Sequence, residues 1–483
     1  MSVACAAAVL YLIGLPAEPP NELPTRVHTP VATPVAVQAF RLTLPSAPRR
    51  ISETSTRNVA ARMTRRMPAA ASTPASDAAP QAERQDQASV PSGTDAVSRF
   101  ATSESRLTVA VVCELEDPPV GLVAEALQQC IDNAPPSASV EIPRGFYLLR
   151  RQVVIRRPIT IRTAGSADGS ITCSSGPDGC ANLVASPGLL DDNGVLSIQS
   201  TSDVTLEHIV LDGNRSARLS TSAVQACRSG RNTAGFTASV IGCVRCRLRD
   251  VVATHALCGT GMLWVGAEAI IEYSDFRDNG DSATRMWADG LTAVYAPDSH
   301  IRDNRFIENS DVGLILGYAA RSRVERNHLV QRQQSVFAGF MLDNFNSDDL
   351  TIRGDFRDLE MTDNVIDCRQ LRCLYGIQIG PRPWYPTRNI IGGHIWDNQV
   401  HGAKVGINVD GAGTPQVPVQ VFSNRVTDLP PPSYFSNCEK PSLTGWMNIA
   451  PTSFVDRGDD ATPTGAHLAD FCQFFSPLLP LVD

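Results

Sequence analysis

Five asparagines set the tightest constraint on what this chain can fold into. Asn304, Asn327, Asn364, Asn398 and Asn424 each have an apolar residue three before and another two after: Ile301/Phe306, Val324/Leu329, Met361/Ile366, Ile395/Val400 and Val421/Val426. A second series runs out of phase with the first. Gly261, Gly290, Gly313, Gly339, Gly376 and Gly406 are each followed by an apolar–any–apolar triplet, as in Leu314-Ile315-Leu316 and Phe340-Met341-Leu342. Two series locked to one loose repeat describe a single supersecondary unit stacked many times.

The asparagine steps are 23, 37, 34 and 26 residues, and each repeat holds short runs in apolar alternation. Such runs are too short for helices and right for strands. An asparagine between two of them suits a tight turn, because its short side chain tolerates left-handed backbone. Stacked at about 4.8 Å, such amides can hydrogen-bond from coil to coil. A glycine before a strand suits a bend where coils approach closely. The pattern predicts an all-β fold, a right-handed parallel β-helix (a solenoid) with an apolar bore and the five asparagines in one line. The uneven steps place loops of uneven length at the turns.

The apolar run Val3–Leu15 is too short to span a bilayer and reads as a secretory segment over residues 1–15, without the usual basic start. Residues 16–105 are rich in Pro, Ala, Ser, Thr and Gln and lack apolar period, which predicts a disordered linker. The solenoid with its cap is expected over 106–430. A C-terminal cap is expected over 431–483, after Pro430-Pro431-Pro432. Thirteen cysteines, twelve without Cys5, fall largely in near pairs: Cys113/Cys130, Cys173/Cys180, Cys368/Cys373, Cys438/Cys472 and a group of Cys227, Cys243, Cys246 and Cys258. With an export segment they read as disulfides; the rival for the group of four is a zinc site. The expected location is secreted or at the cell surface. A net charge of −8 argues against nucleic acid as a partner. Lys404 and Lys440 are the only lysines, a coding bias of bacterial type that makes Lys404 notable.

Ahead of the ladders, Leu122–Ile131 reads as an amphipathic helix with Ala124, Leu127 and Ile131 on one face, ending in "CIDNAPP". "VEIPRGFYLL" and short strands follow. This arrangement resembles the N-terminal cap and first coils of the pectate lyase-like superfamily, which includes pectate lyases, polygalacturonases and alginate epimerases. The resemblance implies a helical cap over the open end of the solenoid. It also implies a binding cleft on the outward face of the sheet that follows the glycines.

By register, that face carries a polar cluster of Asp311, Asp343, Gln378, Lys404, Asn408 and Asp410, with Trp287 and Tyr295 as aromatic platforms. The segments "WADGL" and "NSDVGL" resemble the paired acidic motifs of polygalacturonases, with Asp289 and Asp311 matching the first two acids. The match then breaks: Val312 stands at the third acid, Phe337-Ala338-Gly339 where a His-Gly motif is expected, and no Arg-Ile-Lys follows. Acids on adjacent coils would lie roughly 5–7 Å apart, a workable separation for chemistry on a glycosidic bond. The bland alternative is that both aspartates cap turns. Asp289, Asp311 and Lys404 are therefore the expected catalytic residues. Trp287, Tyr295, Asp343, Gln378, Asn408 and Asp410 are the expected substrate contacts. A lyase would also need a base and a cation, with His255 and His328 among the candidate bases. Glu308, Asp311 and Asp343 would be the ligands if Ca²⁺ is used. The expected function is an exported enzyme cleaving a polysaccharide by elimination or hydrolysis, with epimerisation a further option. The alternative is a non-catalytic polysaccharide-binding or surface β-helix.

Overall fold

What turns each repeat into a coil is a set of backbone groups that only the neighbouring coil can satisfy. We analysed a computed structural model that describes residues 109–115, 123–166, 172–176, 179–351, 353–381, 388–409, 411–414, 416–427 and 454–455. The expected secretory segment, linker and, apart from 454–455, C-terminal cap lie outside these residues, as do Asp410, Cys5, Cys438 and Cys472.

Each coil has three strands. The first joins a nine-stranded parallel sheet that runs from Val153–Ile155 through Leu196–Ser202, Ala238–Val244, Gly259–Val265, Ala288–Tyr295, Val312–Leu316, Val336–Leu342 and Cys373–Ile379 to Val405–Val409. We call it the glycine sheet. The second and third strands build two further parallel stacks, for example His300–Arg302 on Arg323–Glu325 and Arg305–Ile307 on His328–Val330. Parallel strands joined coil after coil by turns form a right-handed parallel β-helix. Phe454–Val455 adds a strand beside Val419–Phe422.

The bore is filled by the residues that the two series pointed to. Leu291, Leu314, Phe340, Ile377 and Ile407, one beyond each glycine, are fully buried with the apolar residues flanking each asparagine. Phe276 stacks on Phe306 at 5.2 Å, and Phe306 meets Phe340 edge-on at 5.5 Å. At the glycines the chain bends against its neighbour. A Cβ on Gly376 would stand 2.5 Å from the Gly406 carbonyl oxygen and 2.2 Å from a Val400 methyl. No side chain fits there.

The five asparagines form a single line. The Asn304 side-chain amide donates to Asn327 Oδ1 (3.0 Å), Asn327 to Asn364 (3.0 Å), Asn364 to Asn398 (2.8 Å) and Asn398 to Asn424 (2.9 Å). Each Oδ1 also accepts the backbone N–H of the asparagine one coil earlier, as Asn364 does from Asn327 at 2.9 Å. The asparagines are not themselves left-handed. That conformation falls on the residue before each: Asp303, Arg326, Asp363, Asp397 and Ser423, with φ between 51° and 55°. The turn thus divides its labour: the left-handed residue makes the corner, and the asparagine turns its amide inward to close the buried backbone.

The expected helix spans Val123–Asn133 and buries Ala124, Leu127 and Ile131. Its Gln128 amide pairs with Val154 in both directions, donating to the carbonyl (2.9 Å) and accepting from the N–H (2.8 Å). Val153–Ile155 is the outermost strand of the glycine sheet, so one side chain closes part of an open edge. Five disulfides join Cys113–Cys130, Cys173–Cys180, Cys227–Cys258, Cys243–Cys246 and Cys368–Cys373. Pairing within the group of four replaces the zinc alternative. No helix among the described residues is long and apolar enough to cross a membrane.

Asn364→Ala should lower unfolding free energy by about 3 kcal/mol, because it strands the Asn327 donors in a dry turn. Asp363→Ala, at the corner beside it, should cost much less. Denaturant unfolding of both variants checks this, and equal losses would count against the ladder as the source.

Candidate active site

The glycine sheet places the expected acids on adjacent coils, but not as an open pair. Asp289 and Asp311 are only 2 % and 5 % exposed. Asp289 Oδ2 accepts the Thr292 hydroxyl (2.6 Å) and Oδ1 accepts the Val312 N–H (3.2 Å), so this carboxylate holds the edge of the next coil. Asp311 stacks between Ala288 and Phe337, one register position away from Asp289. Lys404 is half-buried three coils on, its N–H bonded to the Cys373 carbonyl.

The expected polar face is instead largely apolar. Val294, Val312, Ile315, Ala338, Met341, Leu374, Tyr375 and Val405 cluster there with Phe236 and Phe345 from the turn loops. Gln378 and Asn408 are fully buried and bond to each other at 2.8 Å, and Gln378 also donates to the Gly380 carbonyl. Tyr295 stacks on Tyr318 at 5.0 Å, and Trp287 is half-buried at the foot of its strand. The Ca²⁺ set does not assemble either. Glu308 accepts the backbone N–H groups of Arg332, Gln333 and Gln334, tying down the neighbouring turn. Among the described residues no group of three His, Cys, Asp or Glu side chains could hold a metal ion.

Titratable groups gather instead at the turn leading from the third strand back to the glycine sheet. Thr254 is in register with Asp212 below and Arg277 above, and Arg277 with Ile307. The next residues, His255, Asp278 and Glu308, therefore stack on successive coils, each left-handed with φ of 54°, 54° and 51°. His255 Nδ1 lies 3.1 Å from Asp212 Oδ1, and the ring is 44 % exposed. With Asp212 as acceptor the ring proton sits on Nδ1, which leaves Nε2 as the basic nitrogen. Nε2 makes no hydrogen bond among the described residues. One coil on, burial holds the Asp278 carboxyl above the ordinary carboxylate range, outweighing the pull of His255, Arg277 and Arg215. Arg215 donates to the Asp278 carbonyl and is half-buried among Asp212, Asp278 and Asp281. An oriented imidazole, a carboxyl inclined to keep its proton and a guanidinium are the parts of an acid–base centre.

No family model matches the sequence, and no curated protein does. Solved structures do match. ORF18 of Geobacillus virus E2 aligns at 12 % identity and TM-score 0.40, over 66 % of this chain and 58 % of its own. A family 28 exopolygalacturonase of Yersinia enterocolitica aligns at 11 % identity and TM-score 0.43, over 67 % and 66 %. An alginate lyase of Paenibacillus sp. str. FPU-7 aligns at 12 % identity and TM-score 0.35, over 66 % and 96 %. The chain thus spans less than two thirds of the length of the first two. What the chain has in common with these structures is the fold, and its own strands build a parallel β-helix.

On this β-helical scaffold the third-turn residues were missed because their signal is a short one. His255 was a candidate base, but Asp212, Asp278 and Arg215 were not singled out. "RDNG" and "IENS" share an offset after the third strand, and Asn279 donates to Asn309 Oδ1 at 2.9 Å in a second, two-membered asparagine ladder.

Asp343 has a structural consequence. It is 2 % exposed, and burial pushes its carboxyl up to about 7, against the Asn344 and Phe345 N–H groups and buried Arg353. A folded pKa above the unfolded 3.8 favours the folded state while the group stays protonated, and that advantage is lost as pH rises through about 7. Asp343→Asn should therefore be near neutral at pH 4 and stabilising at pH 8, on the order of 2–4 kcal/mol. Urea unfolding at the two pH values reads the difference.

Proposed function

We propose that this chain is an exported carbohydrate-active β-helix enzyme that cleaves an acidic polysaccharide by elimination at Asp212, His255, Asp278 and Arg215. The observation that carries this reading is the pairing, on adjacent coils, of an Asp212-held imidazole with a carboxyl whose hold on its proton is strengthened by burial. Elimination needs both at once, with a cation beside them. His255 Nε2 takes the proton next to a uronic carboxylate. The electron pair becomes a carbon–carbon double bond, and the adjacent glycosidic C–O bond breaks. The leaving oxygen takes the proton of Asp278. Arg215 faces the charge that develops on the uronate carboxylate. Hydrolysis is less well served, since its usual two-carboxylate geometry has no open counterpart at Asp289 and Asp311. The five disulfides support an oxidising compartment, hence export.

His255→Gln and Asp278→Asn should each lower turnover of an acidic polysaccharide at least about a hundredfold, the scale of a positioned base or acid. Asp311→Asn should leave it within a few-fold. Ultraviolet absorbance of the unsaturated product, followed beside reducing ends, separates the outcomes. Reducing ends without unsaturation would rule out elimination. Loss in Asp311→Asn with His255→Gln active would return the site to the glycine sheet. Binding without turnover on any acidic glycan would leave a sugar-binding β-helix.

A further inference from the structure

The outward side of the third-strand stack carries a second polar feature, three to five coils beyond His255. His328, Arg332, Asp367, Arg369 and His401 line an open groove of about 680 Å³. Its positions follow the coil register: Val330 pairs with Asp367 and Asp367 with His401, while His328 pairs with Val365. Thr254 through His401 is five such steps, roughly 24 Å at the parallel strand spacing. The groove therefore continues along the flank on which the third-turn centre sits.

Its chemistry favours anions. Arg332 and Arg369 flank one carboxylate, Asp367, at 3.8 Å and 3.0 Å, so the cations exceed the anion before either imidazole is counted. His401 Nδ1 is fixed by the Thr427 hydroxyl at 2.6 Å, and its Nε2 has no partner among the described residues. His328 makes no side-chain hydrogen bond there either. One wall is built for its place. The Cys368–Cys373 disulfide closes the short loop that carries Arg369, within which Gln370 and Leu371 hold left-handed backbone at φ 61° and 60°. Neither residue adopts that conformation readily, so the bridge and the surrounding coil impose it.

We propose that this groove binds the carboxylate or sulfate groups of an acidic glycan chain, with Arg332 and Arg369 as the principal contacts. The identification of the ligand as a glycan rests on the reading of the function given above; the groove's preference for anions does not. Guanidinium forks match carboxylate and sulfate oxygens in pairs, and the open, linear shape admits a chain rather than a compact ion.

The test is a calorimetric titration of full-length His255→Gln protein, so that turnover and binding are read separately. The probes are a galacturonate tetramer, its neutral galactose counterpart and inorganic phosphate. The tetramer should bind, and Arg332→Gln with Arg369→Gln should weaken it at least tenfold without moving the melting temperature. Arg228→Gln, which removes one positive charge from an arginine that does not line the groove, should have no effect. A double variant that binds like its parent overturns the groove, as does a neutral tetramer that binds equally well. Phosphate binding as tightly as the tetramer overturns the glycan as occupant. Because catalysis is not read here, the groove can fail with elimination intact, and the reverse.

Discussion

Everything in this molecule depends on satisfying backbone groups in turns that water cannot reach. A three-stranded coil has three corners; stacking buries the serines and asparagines at two of them, and the third, at His255, Asp278 and Glu308, stays partly open. The asparagine line answers this at the corner between second and third strands, where each side-chain amide does for the next coil what a strand partner does along the sheet. At the corner from first to second strand the answer is partly serine. Ser299 Oγ accepts the Ala269 N–H, and Ser322 Oγ accepts that of Ser299. The apolar bore supplies the larger part of the folding free energy, but it is non-directional. The polar lines fix which coil sits on which.

The outer surface adds a second register device. The third position of seven successive second strands reads Glu141, Arg162, Glu207, Arg249, Glu272, Arg302, Glu325, with charge alternating coil by coil until Thr362 ends the series. Arg162 bridges Glu141 and Glu207, and Glu272 bridges Arg249 and Arg302. Corner residues repeat the theme, with Arg245 on Asp203, Arg321 on Asp298 and Arg326 on Asp303. Single exposed pairs of this kind contribute little. Arranged as a line, they penalise a slip by one coil, which would set like charges against each other.

How much was legible follows from the same physics. The asparagine and glycine series, the bore residues and the helix face of Ala124, Leu127 and Ile131 were readable because each recurs with a fixed apolar frame. Burial on one side of a period leaves a pattern that a sequence cannot hide. The location of a polar site is not periodic in that way. Gln378 and Asn408 lie at outward register positions, as expected, yet register says nothing of the Phe236 and Phe345 loops that make this face apolar. Asp289 was placed correctly along the chain, but its role depends on an N–H of the following coil. The pairing of His255 with Asp212 spans 43 residues and could be found only by aligning third strands in coils that come before the asparagine frame begins.

The asparagine line also has a direction. From Asn304 to Asn398 each side-chain amide donates both to the Oδ1 of the coil that comes later and to a backbone carbonyl of the coil before, while every Oδ1 faces only the coil that came earlier. At the early end Ser274 offers only its backbone N–H to Asn304; at the late end Asn424 keeps the backward bond, to the Ile395 carbonyl of the coil before, and a bond to the Phe422 carbonyl of its own. A chain made from its N-terminus therefore presents, at each stage of synthesis, a row of waiting donors to the segment about to emerge. The N–H···Oδ1 bonds of the line run in the same order as translation. A circularly permuted chain, which keeps every contact of the finished molecule, would lose that order and with it the advantage of assembling one coil at a time.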